Sequence, residues 1–133
     1  MKKVVYILVS VLLLSCSLND DNNAPARDAK WSLIKISGGI QGIEINLEKG
    51  EITWVFDEVN NNIIVEVNID DPLIGLSEGT YPYELETINN ELFLFVDGSE
   101  FGALTISNTQ LTIDQNITST GNAADLFLFR FVR

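Results

Sequence analysis

Hydrophobic and polar residues alternate along most of the chain beyond residue 30. The clearest alternating runs cover residues 43–47, 52–56, 63–69, 81–85 and 111–113, and weaker runs cover 31–36 and 104–106. Successive side chains of a β-strand point to opposite faces, so each run predicts a strand with one buried face and one solvated face. No stretch shows a helical period over a useful length, and the pattern therefore predicts an all-β fold.

Residues that favour tight reversals separate these runs. The turn candidates are Gly38-Gly39, Glu48-Lys49-Gly50, Asn60-Asn61-Asn62, Asn89-Asn90 and Asp97-Gly98. Strands that recur about every 10 residues, with short loops between them, predict an antiparallel up-and-down meander of eight or nine strands. Such a meander leaves two exposed edges unless it closes, which favours a barrel over the alternative β-sandwich.

Two predicted strands are apolar on both faces. They cover residues 92–96 (Leu-Phe-Leu-Phe-Val) and 126–132 (Leu-Phe-Leu-Phe-Arg-Phe-Val). A strand of this kind is covered on both sides or lines a cavity with one face, because a large exposed apolar face promotes aggregation.

The N-terminus has the pattern of a secretory signal. Two lysines precede an apolar run over residues 4–14, and Ser15 and Cys16 follow it. The run is shorter than the roughly 20 residues that a membrane-spanning helix needs. An aliphatic residue three positions before the cysteine and a small residue directly before it resemble the bacterial lipobox. This resemblance implies a signal peptide over 1–15 and acyl chains, such as palmitate, on Cys16 as a membrane anchor.

Residues 16–28 are polar and acidic, and we expect them to form a flexible tether before a barrel domain over 29–133. Asp20-Asp21 resembles the export signal of some outer-membrane lipoproteins, although a solvated linker has the same composition. The net charge is −11, and it becomes −13 once the two lysines of the signal are removed. This acidity argues against nucleic-acid binding, for which cationic side chains neutralise phosphates.

The composition leaves few routes to catalysis. The chain contains no histidine and one cysteine, which excludes a Ser-His-Asp triad, a histidine metal site and an internal disulfide. Carboxylates are plentiful, and two in one cleft would suffice for a hydrolase. The acidic residues on predicted strands all lie on polar faces, where we expect solvated side chains; they are Glu44, Glu51, Glu66, Glu84 and Glu86.

The acidic residues near predicted turns do not form a recognisable cation site. Asp57-Glu58, Asp70-Asp71 and Asp97 with Glu100 lack the spaced pattern of a calcium loop. We therefore predict no catalytic residue, no metal and no cofactor.

The aromatic residues are the stronger indication of binding. Trp54 and Phe56 share one strand face, and Tyr81 and Tyr83 share another. Aromatic faces suit apolar ligands, so these four residues are candidate ligand-binding residues. Their alternative role is to fill the core, because a small domain buries its largest apolar side chains.

The chain resembles a lipocalin-like small barrel of the kind found in Gram-negative lipoproteins. The resemblance rests on Trp31 in the first strand, the segment Gly79-Thr80-Tyr81-Pro82-Tyr83, and the Phe-Arg-Phe of the last strand, and it covers about residues 29–133. It implies that Trp31 closes one end of the barrel against Arg130, whose guanidinium can stack on the indole.

These features lead to a functional hypothesis. We expect a non-enzymatic lipoprotein of the cell envelope, held at the outer membrane by its lipid, that binds a small apolar ligand or a partner protein. The alternatives are an envelope interaction protein with a solid core and a carboxylate-dependent hydrolase.

Overall fold

The computed structural model describes residues 30–70 and 74–133. The predicted signal peptide, Cys16 and the tether lie outside the described residues and stay predictions. The described part contains no helix, and therefore none that could cross a membrane.

Eleven antiparallel strands account for most of the described residues. They are β1 (Lys30–Gly38), β2 (Ile43–Asn46), β3 (Ile52–Asp57), β4 (Asn62–Val67), β5 (Gly79–Ile88), β6 (Glu91–Val96), β7 (Ser99–Ile106), β8 (Gln110–Asp114), β9 (Ile117–Thr118), β10 (Gly121–Asn122) and β11 (Phe127–Val132).

The main sheet closes on itself. Its strand order is β11-β8-β7-β6-β5-β4-β3-β1-β2, and β11 also pairs with β1, from Ser32–Val132 to Gly38–Phe127. Eight strands thus form a closed antiparallel barrel, while β2 pairs beside the second half of β1. The predicted all-β meander and its closure into a barrel are confirmed, and the sandwich alternative is wrong.

The predicted turns lie where the chain reverses direction. Asn89 and Asn90 connect β5 to β6 with φ angles of 51° and 65°, and Asp97 and Gly98 connect β6 to β7 with 51° and 75°. Two successive positive φ angles define the hairpin turn whose twist matches that of the strands it joins, and Asn, Asp and Gly adopt it most readily.

A β-bulge explains why the alternation of β1 is weak. The register with β11 shifts between Leu33 and Lys35, so Ile34 is an extra residue on its strand. Leu33 and Ile36 are therefore both buried, although their spacing of three would place them on opposite faces of a regular strand. A second register shift in the pairing of β6 with β7 leaves Phe101 as an extra residue.

Large side chains fill the barrel interior. The indole of Trp54 contacts the rings of Phe56, Phe101 and Phe131, at centroid distances of 6.5, 5.8 and 5.0 Å. The ring of Phe129 lies 5.7 Å from that of Phe101 and joins the same cluster. Inward-facing aliphatic residues surround these rings; they include Leu33, Ile36, Ile52, Ile63, Val65, Leu94, Leu104, Leu111 and Ile113.

A short hairpin outside the barrel lies beside Phe93 on the outer face of β6. This hairpin consists of β9 and β10, and the Glu100 carboxylate accepts hydrogen bonds from the backbone N–H and hydroxyl of Ser119 at 2.6 and 2.7 Å. Phe93 is buried, and it lines a cleft together with residues 116–123, which include the hairpin. One face of β6 thus packs in the interior, and Phe93 on the other face lies beside the hairpin.

Candidate functional site

Two of the four aromatic ligand candidates belong to the core. Trp54 and Phe56 are each 1% exposed and pack against other rings inside the barrel. Neither residue lines any of three clefts on the described surface of the barrel. Their position matches the core-filling role that the sequence left open.

The other two candidates lie on β5 near the barrel wall. The Tyr81 hydroxyl donates a hydrogen bond to the Ser77 carbonyl oxygen at 2.9 Å, and its half-buried ring packs against the core. Tyr83 is 7% exposed, its ring meets that of Phe56 edge-on at 5.3 Å, and it lines the largest of the three clefts. Of the four candidates, Tyr83 alone borders one of these clefts.

The resemblance implied that Arg130 covers Trp31, but the residue that does so is Arg133. The Arg133 guanidinium carbon lies 5.8 Å from the centroid of the Trp31 ring. Arg130 pairs in register with Lys35 and is exposed, between the buried Phe129 and Phe131. Because strand residues alternate between faces, Arg130 points outward from a strand whose neighbours fill the interior.

β5 extends past the end of its neighbour β4. The pairing of β4 with β5 runs from Val65–Gly79 to Asn62–Pro82, after which the Tyr83 N–H donates to the Asn61 carbonyl oxygen at 2.9 Å. β5 continues to Ile88 and pairs there only with β6 among the described strands. One edge of residues 84–88 is therefore open, and we call this segment the β5 edge.

The largest of the three clefts lies along the β5 edge. It has a volume of about 870 Å³, and its lining includes the carboxylate residues Glu58, Glu84 and Glu86. Val59, in the adjacent turn, is 90% exposed. The chain thus combines an open strand edge, acidic side chains and an exposed apolar side chain at one end of the barrel.

Other strand carboxylates are engaged with neighbours outside this cleft. The Lys35 ammonium contacts the Glu44 carboxylate at 2.6 Å, and this hydrogen bond lowers the pKa of Glu44. Hydrogen bonds from the Lys30 ammonium at 2.6 Å and the Thr53 hydroxyl at 3.1 Å lower the pKa of Glu66. Glu51 accepts the N–H of Glu48 within a turn. These contacts place Glu44, Glu51 and Glu66 in local structural roles.

Among the acidic residues near turns, Asp57 has several local partners. Asp57 accepts hydrogen bonds from the Asn60 side-chain amide, from the Asn60 N–H and from the Val59 N–H, and these contacts lower its pKa. Within residues 30–70 and 74–133, no group of three or more acidic residues could hold a metal ion. Asp71 lies outside the described residues, so the predicted Asp70-Asp71 pair is described only at Asp70.

Sequence reasoning missed the β5 edge as a site. The alternating pattern identifies the strands, whereas the edge arises from their relative lengths and register. The alternation pointed the other way, because the alternating run over 63–69 is longer than the run over 81–85. In the structure, β5 has 10 residues and β4 has 6.

Comparison with protein-family models, with curated proteins and with solved structures found no match to this chain. Its function is therefore inferred from its fold and from the geometry of its surface.

Proposed function

We propose that this protein is a lipid-anchored, non-enzymatic binding module of the bacterial cell envelope that recognises a partner protein on the outside of its barrel. One observation carries the proposal. The interior position that a barrel would use for a small ligand is occupied by the aromatic cluster around Trp54. The open strand edge and its cleft lie on the exterior instead.

The anchoring half of the proposal rests on the sequence. The charged start, the short apolar run and the position of Cys16 together fit a lipoprotein signal. An acidic domain is repelled by anionic lipid headgroups, so the lipid would hold the protein at the outer membrane while the barrel stays in solution. Metabolic labelling with an alkyne-bearing palmitate tests this half: we expect label on the wild-type chain and none on Cys16→Ser.

Site-specific photo-crosslinking in cells tests the binding half. A photoreactive amino acid at Val59 would lie beside the β5 edge, and the same residue at Ile40, which is 83% exposed in the turn after β1, provides a matched control. We expect a discrete protein adduct from position 59 and none from position 40. Equal adducts at both positions, or none at either, would contradict recognition at this end of the barrel.

Tryptophan fluorescence separates this proposal from a small-ligand function. Both tryptophans, Trp31 and Trp54, are buried in the barrel, so an apolar ligand that entered the interior would change their emission. We expect no saturable change on titration with a medium-chain fatty acid. A saturable change with one-to-one stoichiometry would favour the small-ligand function and overturn the exterior one.

A further inference from the structure

We propose that the β5 edge binds an extended cationic segment of a partner protein by strand addition. This inference rests on the proposed function and specifies its partner: a chain with Lys or Arg at alternate positions and apolar residues between them. Strand addition to an open edge is a general mode of peptide recognition, in which backbone hydrogen bonds provide affinity and alternate side chains provide specificity.

The backbone of β5 is oriented for such an addition. The Tyr83 N–H points toward β4, whereas the Pro82 carbonyl points toward β6 and accepts the Asp97 N–H at 2.9 Å. Backbone groups of alternate residues in a strand point to the same side. The N–H and C=O groups of Leu85 and Thr87 therefore face the open edge, where the described strands offer them no partner.

The side chains beside the edge define the chemistry of the partner. Glu84 and Glu86 are exposed on the outer face of β5, and Glu58 also lines the cleft. Leu85, on the opposite face, is half-buried against the core. Opposite charges on facing strand positions stabilise a pair, so an added strand would place Lys or Arg beside the glutamates and an apolar residue beside Leu85.

A second copy of this chain fits the edge poorly. Pairing two β5 edges in antiparallel fashion would bring the glutamates of one copy beside those of the other, and like charges on facing positions are destabilising. Charged side chains on an open edge are a common protection against such self-pairing. A cationic strand would be attracted by the same glutamates, so the edge favours a cationic partner over a second copy of this chain.

The test uses the full-length chain in neutral detergent and a fluorescent seven-residue peptide of alternating Lys and Val, read by anisotropy. A peptide with Glu in place of Lys is the charge control. At about 150 mM salt, at which charges beyond about 8 Å are largely screened, we expect saturable binding of the Lys peptide and none of the Glu peptide.

Two pairs of variants locate the binding. Glu84→Lys with Glu86→Lys reverses the charge at the edge, and Asp70→Lys with Glu78→Lys makes the same total change at exposed residues elsewhere. Thr87→Pro removes an N–H that faces the open edge, and Thr87→Val keeps it. We expect each edge variant to weaken binding by at least about tenfold and each control to change it by less than about threefold.

The outcomes separate this proposal from the one on which it rests. Equal weakening by both charge reversals, with full binding by Thr87→Pro, would show attraction by overall charge and overturn strand addition. If cross-linking at position 59 still gives a protein adduct in that case, the exterior function stands and only the cationic strand is rejected. If Thr87→Pro fails to fold, the charge-reversal pair still decides the result.

Discussion

Two pairs of neighbouring strands in the barrel, here called seams, differ in how far their hydrogen-bonded pairing extends. At the seam between β1 and β11, pairing extends from Ser32–Val132 to Gly38–Phe127 through a bulge. At the seam between β4 and β5, pairing ends at Asn62–Pro82 and the rest of β5 is left open. The first, or closed, seam is paired along the whole length of β11, whereas the second leaves the end of β5 unpaired among the described strands.

The side chains follow this difference. The closed seam carries buried rings, such as Phe129 and Phe131, and on its outer face the half-buried Leu128 and Val132 flank the exposed Arg130. The open edge carries Glu84 and Glu86 on its exposed face. A strand paired on both edges can tolerate apolar residues on its outer face, whereas an open edge needs charge to avoid aggregation. The proposed recognition therefore uses a different seam from the one that carries the buried rings.

The largest expected effect comes from removing a ring at the closed seam. Phe129→Ala would leave a cavity beside Phe101 and Phe127, and we expect a loss of about 3–5 kcal/mol in the free energy of unfolding. Glu86→Ala on the open edge should change it by less than about 0.5 kcal/mol. Urea denaturation measures both. Similar losses of stability in the two variants would contradict the claim that the closed seam stabilises the fold and the open edge does not.

The next effect concerns close backbone packing at the closed seam. Gly38 has a φ of 121°, and a Cβ at this position would overlap the carbonyl oxygen of Leu126. Gly50 has a φ of 95° with open space around it, so it controls for backbone strain alone. We expect Gly38→Ala to cost about 1–3 kcal/mol more than Gly50→Ala, because the chain must shift to relieve the overlap. Equal thermal destabilisation of the two variants would show that the seam tolerates the shift.

A smaller effect distinguishes the two arginines near the last strand. Arg133 lies over the Trp31 ring, while Arg130 is exposed. Both Arg→Ala variants remove one positive charge, but Arg133→Ala also removes the stacking contact and the guanidinium hydrogen bond to the Asn108 carbonyl oxygen at 3.2 Å. We expect it to lose about 0.5–1 kcal/mol more than Arg130→Ala, with altered Trp31 emission. A larger loss of stability in Arg130→Ala than in Arg133→Ala would favour the Trp31–Arg130 pairing that the resemblance implied.

The smallest effect is a pH dependence. Hydrogen bonds from Lys30 and Thr53 lower the pKa of Glu66 in the folded state, so its stabilising contribution is present at neutral pH and is lost as the pH falls below the ordinary glutamate range. Glu66→Gln should therefore lose less stability than wild type between pH 7 and pH 3, as measured by urea midpoints. An equal loss in both proteins would argue that the ion pair does not contribute.

The strands and turns could be predicted because their signals are local. Alternation marked Trp54 and Phe56 on one face, and the Asn89-Asn90 pair marked a hairpin turn. The bulge at Ile34 blurred the alternation of β1, which explains its weak signal. The hairpin of β9 and β10 was missed, because each strand has two residues and carries no alternating pattern.

The site could not be predicted because it depends on register. Nothing local to residues 84–88 distinguishes an open edge from a paired one; the difference lies in where β4 ends relative to β5. Arg130 was implied by the resemblance alone; in the structure Ser32 pairs with Val132, and the next residue, Arg133, lies over Trp31.

Amide hydrogen exchange at Leu85 and Thr87 tests most directly the claim that the β5 edge, and not the barrel interior, is the binding surface. In the free protein we expect these two amides to exchange rapidly, while amides paired across the closed seam stay protected. Addition of the alternating Lys and Val peptide should protect both. Protection of the two amides in the free protein, or no change on peptide binding, would contradict the account.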